Sequence, residues 1–210
     1  MKRLVVLLLI LMTCSLASCG MRATEPEQLY LVSAVGFDAI DEGVRVVAEV
    51  PLTRETEADK MDVCVFEGVG NDIPDAIAQM KKGLGKRLFF GHCALAVLGD
   101  GVEEARLRSV LDFLSEEKIP LSVTVISAPS ARELLARGSL SAPAAGYEIP
   151  DILRLQTREM GLSLQCRYYE VAARGSDFTL PRFEPNDPDR AEADRFCGLR
   201  VYRNGKAVTE

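Results

Sequence analysis

The chain has a single histidine, His92, and its six cysteines include no C-x-x-C pair. Both shortages bear on metal chemistry. A structural zinc needs four clustered nitrogen and sulfur ligands, and the spacing of His92 to the cysteines fits no such pattern. Beyond residue 12 there is no second long apolar run, so nothing after the first few residues is built to span a bilayer as a helix. The chain is also short of positive charge, with 25 basic against 31 acidic residues. That balance disfavours nucleic acid as a partner, and equally a membrane held by charge alone.

What is present begins with MKRLVVLLLILMTCSLASC. Lys2 and Arg3 precede an unbroken apolar core, Leu4 to Met12. That core is well under the ~20 residues of a membrane span and suits a signal-peptide core. Ala17 and Ser18 are small, as a signal peptidase requires. A plain secretory signal has no need of Cys19, and Leu-Ala-Ser-Cys reads as a lipobox in preference to a chance cysteine. On that reading residues 1–18 are removed and Cys19 carries a diacylglyceryl group and an N-acyl chain. Two or more acyl chains hold a protein on a bilayer where one does not. Loss of 1–18 takes away Lys2 and Arg3 and no acid, leaving 23 basic and 31 acidic groups and moving the net charge from −6 to −8.

Of the remaining cysteines, Cys64 and Cys93 lie in apolar strand-like runs, where a thiol behaves as a small hydrophobe. With Cys166 and Cys197 they allow three pairings outside the cell, among which the spacing does not choose.

Residues 20–28 form a polar tether. Leu29 to Phe37 is a strand-forming run, Asp41-Glu42-Gly43 a turn, and Val44 to Val50 puts Val44, Val46, Ala48 and Val50 on one face, which predicts a hairpin. Met61 to Gly68 predicts a strand. Asp72 then serves as N-cap, with Pro74 in the first turn and Asp75 near the positive helix end. Ile73, Ala76, Ile77, Met80 and Leu84 share that helix's apolar face. Leu88 to Leu98 reads as one buried central strand. Asp100 to Glu103 and Ser130 to Glu133 resemble capping boxes opening two further helices, with Leu121 to Ser127 a strand between them.

Residues 139–146 read as a loop, Ile149 to Met160 as a helix, and Leu164 to Ala172 as another ending before Gly175. Phe178 to Phe183 is extended, and Asn204-Gly205 suits a type I′ hairpin turn. The expected fold class is therefore α/β (α+β). A mixed sheet with helices occupies an N-terminal lobe at 29–138, a linker with helices covers 139–175, and a smaller partial second domain at 176–210 ends in a β-hairpin. That hairpin is too small to be stable alone, so 210 residues are expected to be a fragment, with fast amide exchange after about residue 176.

No catalytic constellation emerges, and no cofactor is expected. GVGNDIP at Gly68 places G-x-G between a strand and a helix, yet the third glycine is missing and Asp72 and Asp75 stand where phosphate would sit. GLGKR at Gly83 lacks P-loop spacing. His92 is assigned a structural place on a buried strand, with Cys93 on the opposite face. The carboxylates are many, but none is paired in an apolar setting.

Five landmarks behind the lipobox carry a resemblance. They are VSAVGFD (Val32 to Asp38), FEG (Phe66 to Gly68), FFGHCALAVLG (Phe89 to Gly99), LDFLSEEK (Leu111 to Lys118) and FCGLRVYRNGKAV (Phe196 to Val208). In that order the chain resembles the C subunit of bacterial spore germinant receptors, the GerAC-type lipoproteins. Two departures stand out: SEEKIPLS (Ser115 to Ser122) is acidic where the family carries an Arg-Asp pair and a basic stretch, and family members run well past residue 210. The resemblance implies a non-catalytic subunit anchored through Cys19 on the outer face of the spore inner membrane. Its implied partners are the membrane A and B subunits, in a receptor that nutrient germinants trigger. The alternative class is a lipid-anchored solute-binding protein, which would want a cleft between two similar lobes.

Overall fold

The computed structural model describes residues 26–53, 61–137, 144–161, 164, 166–185 and 195–208. The leader, Cys19 and Gly138 lie outside these residues.

Eight strands form one mixed sheet. They are β2 (Ala34–Ile40), β3 (Gly43–Thr53), β4 (Met61–Gly70), β6 (Leu95–Gly99), β7 (Thr124–Ala128), β8 (Phe178–Glu184), β9 (Arg195–Arg203) and β10 (Lys206–Val208), in the order β10-β9-β8-β7-β6-β2-β3-β4. The centre, β2 through β8, is parallel, and each flank is antiparallel. A separate two-stranded parallel ribbon pairs β1 (Leu29–Leu31) with β5 (Arg87–Phe89). Helices cover both faces of the sheet. Helix α1 (Ile73–Lys81), α2 (Glu104–Glu116) and α5 (Tyr168–Arg174) pack on one side, with α3 (Ala131–Arg137) and α4 (Ala145–Met160) on the other.

Strand β3 shows how sequence becomes layers. Val44, Val46, Ala48 and Val50 enter the core under α1 and α2, while Val47 enters the core under α3 and α4. A strand alternates its side chains, so a strand apolar on both sides belongs in the middle of three layers. Helix α1 forms as its sequence predicts. The Asp75 N–H donates to the Asp72 carboxylate at 2.8 Å, Pro74 sits in the first turn, and Ile73, Ala76, Ile77 and Met80 are buried. Leu84 falls beyond that helix, which ends at Lys81.

Both long apolar runs divide. Leu29 to Phe37 splits into β1 and β2, and Leu88 to Leu98 splits into the end of β5, a 3-10 turn at Phe90–His92 and β6. They divide together because they are partners: β1 pairs with β5 in the ribbon, and β2 pairs with β6 in the sheet. The Cys93 N–H donates to Phe90 O at 2.9 Å and the Ala94 N–H to Ser33 O at 2.8 Å, which closes the crossover between the two. His92 is consequently exposed on a 3-10 turn, not held on a buried strand.

Other boundaries move for similar reasons. Helix α4 begins at Ala145, four residues before Ile149, because its first N–H groups find a carboxylate described below. Strand β7 begins at Thr124, leaving Leu121 on the surface. The box expected at Asp100 to Glu103 does not form: α2 starts at Glu104, its N-cap Glu103 makes no side-chain cap bond, and Asp100 is engaged elsewhere. At Ser130 the cap does form, with the Glu133 N–H donating to Ser130 Oγ at 3.2 Å. Strands β8 to β10 continue the main sheet through β7. Phe178, Leu180 and Tyr202 share the core of α1 and α2, and Phe183 that of α3 and α4.

Candidate functional site

Cys19, the residue assigned a lipid, lies outside the described residues. Among the described residues two of the four thiols, Cys93 and Cys166, are buried in the packing. Cys93 is buried, donates its thiol to Leu95 O at 3.2 Å, and burial pushes its pKa up to about 12, so it is no thiolate nucleophile. Burial also raises the Cys166 thiol. Among the described residues no disulfide joins Cys64, Cys93, Cys166 and Cys197. The His92 ring sits 5.8 Å from that of Phe89. The G-x-G at Gly68 and Gly70 lets β4 touch helix α1. A Cβ on Gly68 would lie 2.0 Å from Ala76 O, and one on Gly70 2.4 Å from Ala76 N.

Two carboxylates on the face under α3 and α4 each hold a helix N-terminus. Asp38, near the end of β2, accepts from the Ala131 N–H at 2.7 Å, the Arg132 N–H at 2.9 Å and Ser130 Oγ at 3.3 Å. Gly36 and Gly99 make room. A Cβ on Gly36 would stand 2.7 Å from Ala131 Cβ, and one on Gly99 2.1 Å from Asp38 Oδ1. The G-F-D landmark and the glycine ending the next central strand are thus one physical unit. Glu49 on β3 accepts from the Ala145 N–H at 2.8 Å, the Gly146 N–H at 2.9 Å and Ser33 Oγ at 2.6 Å. Burial raises its pKa, while the Ser33, Gly146 and Ala145 donors oppose the rise. Glu49 is a buried carboxylate that the sequence reading did not single out. The signal was visible in VRVVAEV, an acid two residues after Val47 on the strand's second face.

A third cluster ties the C-terminal hairpin to the loop after β6. Arg182 grips Asp100 in a two-point pair, Nη1 to Oδ1 at 2.7 Å and Nη2 to Oδ2 at 3.0 Å, and Arg200 joins the same carboxylate. The pair with Asp100 raises the Arg182 pKa. The Ala207 N–H donates to Glu103 at 2.9 Å, and Lys206 pairs with Glu104 at 2.7 Å. Between α2, α5 and the Asn204-Gly205 turn runs an open groove of about 910 Å³, lined by Leu107, Leu111, Asp112, Tyr168 and Ala172 among others. Tyr168 Oη donates to Leu111 O at 2.9 Å across its floor. The groove's lining mixes charged, polar and apolar side chains, with Glu104, Arg108 and Asp112 beside the leucines.

The family described as the spore germination protein N-terminal domain, of the GerAC type, matches residues 22–185, from just after Cys19 to the end of β8. No curated protein and no solved structure matches this chain. The matched span contains Gly36, Asp38, Glu49, Gly68 and Gly99, the residues that seat helices α1, α3 and α4 on the sheet. With most of its length inside that match, the chain belongs to the GerAC-type spore germination protein family.

Proposed function

We propose that this spore germination protein is the lipoprotein subunit of a nutrient germinant receptor. Diacylglyceryl and N-acyl chains on Cys19 hold it on the extracytoplasmic face of the spore inner membrane. There it acts by contact with the membrane A and B subunits and performs no catalysis. The observation that carries this reading is the order along the chain: a lipobox ending at Cys19, then a germination-family match beginning at residue 22. The surroundings of the thiols and His92 support a non-catalytic role. Cys93 is locked as a thiol, and His92 faces outward beside an aromatic ring. No helix among the described residues is long and apolar enough to cross a membrane, so lipid is the natural anchor on this reading.

The test is Cys19→Ala with lipid labelling. Wild type is expected to take up labelled fatty acid and to stay with membranes through a high-salt wash, and Cys19→Ala to take up no label and to wash off. A strain carrying Cys19→Ala should sporulate normally and lose its response to at least one nutrient. Unlabelled wild type that still pellets sinks the anchor. Unchanged germination on every nutrient, without a redundant paralogue, sinks the receptor role.

A further inference from the structure

The β1–β5 ribbon and the turn that leads into it differ from the rest of this acidic molecule. The segment KKGLGKRLFF, residues 81–90, carries Lys81, Lys82, Lys86 and Arg87 within seven residues, and all four are exposed. None of them is paired with a carboxylate of the described residues. Lys82 donates to the Gln79 side chain at 2.7 Å, and Lys86 lies over the Tyr30 ring at 5.7 Å. Gly83 and Gly85 each have open space where a side chain would stand.

The ribbon adds an apolar component. Leu31 pairs in register with Phe89, and each is 41% exposed. Arg87 pairs with Leu29, two residues back along the same strands, so Leu29, Leu31, Arg87 and Phe89 share the ribbon's outer face. Tyr30 and Leu88, with the opposite parity, pack inward on the core. Cationic side chains beside a part-exposed phenylalanine and leucine are what an anionic lipid surface binds. The charges meet headgroups, and the apolar side chains enter the boundary with the acyl chains.

Chain connectivity puts this face near the bilayer. Leu29 is ten residues after Cys19. Ten residues reach at most about 35 Å when fully extended, so a lipid on Cys19 keeps the ribbon within that distance of the headgroups. This step rests on the anchored reading proposed above.

We propose that the outer face of the β1–β5 ribbon, with Lys81, Lys82, Lys86 and Arg87, is a membrane-docking surface for anionic phospholipid. The lipid on Cys19 supplies retention, and this patch supplies orientation. It turns β1 and β5 toward the bilayer and leaves α3 and α4, across the sheet, facing away.

Two measurements test this. The chain contains no tryptophan, so Phe89→Trp introduces a sole reporter at the patch, and Leu155→Trp on exposed α4 introduces one on the far side. In lipidated full-length protein on vesicles of brominated phosphatidylglycerol and phosphatidylcholine, the reporter at position 89 is expected to be quenched and the one at 155 not. Equal quenching, or none at 89, overturns the proposal while the anchor stands. The second measurement uses the Cys19→Ser chain and needs no lipid on the protein. It is expected to sediment with phosphatidylglycerol vesicles and not with pure phosphatidylcholine, and to release as salt shortens the screening length from about 10 Å to about 3 Å. Each basic group removed is expected to weaken binding about fivefold, so Lys82→Gln with Lys86→Gln weakens it about thirtyfold. Binding that ignores lipid charge and both lysines overturns the proposal whether or not Cys19 is acylated. Wild type that takes up no lipid label sinks the anchor alone.

Discussion

Replacing Asp38 tests whether the G-F-D landmark is a helix seat. In Asp38→Ala the Ala131 N–H, fully buried, loses its only charged acceptor, and the Arg132 N–H loses a bond at 2.9 Å. A buried donor left alone costs about 1–3 kcal/mol and a capping bond about 1 kcal/mol, so the loss should be about 2–4 kcal/mol. For a chain of this length that is about 10 °C in Tm. Gly99→Ala should also destabilise, by about 1–3 kcal/mol, because its Cβ would meet Asp38 Oδ1 at 2.1 Å and Phe37 O at 3.0 Å. The two changes should not add. With Asp38 shortened to alanine, the closer clash disappears and only the Phe37 contact is left. Urea denaturation of the Cys19→Ser chain and its two single and one double variants reads the coupling, expected to be about 1 kcal/mol or more. Additivity within about 0.5 kcal/mol, or an Asp38→Ala cost under about 1 kcal/mol, refutes the seat.

Other expectations follow from the same packing. Because burial raises the Glu49 pKa in the folded protein, its contribution is fully present below the ordinary carboxylate value of 4.5 and is lost as pH rises through the folded value. Glu49→Gln should therefore show a smaller fall in unfolding free energy between pH 4.5 and neutrality than wild type, and matching pH slopes would refute that assignment. Asp100→Ala takes from Arg182 its two-point partner and from Arg200 its nearer one, with Glu103 still 3.9 Å from Arg200. It should cost about 1–2 kcal/mol, discounted for partial exposure, and loosen the β9–β10 hairpin; an unchanged denaturation midpoint counts against the cluster. Phe178, Leu180, Phe183 and Tyr202 are each at most 2% exposed, so amides of β8 and β9 should exchange as slowly as those of β6 and β7. Fast exchange there by mass spectrometry would mean that these strands do not share the core.

What the sequence determined by itself is what local physics determines. The start of α1 rests on Asp72, Pro74 and Asp75, all within one turn. The two faces of β3 follow from alternation, and the last hairpin from Asn204 and Gly205, whose φ values of 51° and 76° are those of a type I′ turn. Tertiary structure decided the rest. The run at Leu88 carries Gly91 in the turn where it divides and the run at Leu29 carries no glycine or proline there, and the two divide together because each needs the other as a strand partner. DGVE looks like a cap until Arg182 and Arg200 arrive from 82 and 100 residues away and claim Asp100. Asp38 and Glu49 bind helices that begin 93 and 96 residues later. Residues 176–210 read as a smaller partial second domain ending in a hairpin because only the folded sheet offers β7 as the neighbour of β8. Capping and periodicity act over one or two turns and leave a mark in spacing. A pairing across half the chain leaves only a misplaced charge in an apolar run, and its meaning depends on a partner that the fold must bring to it.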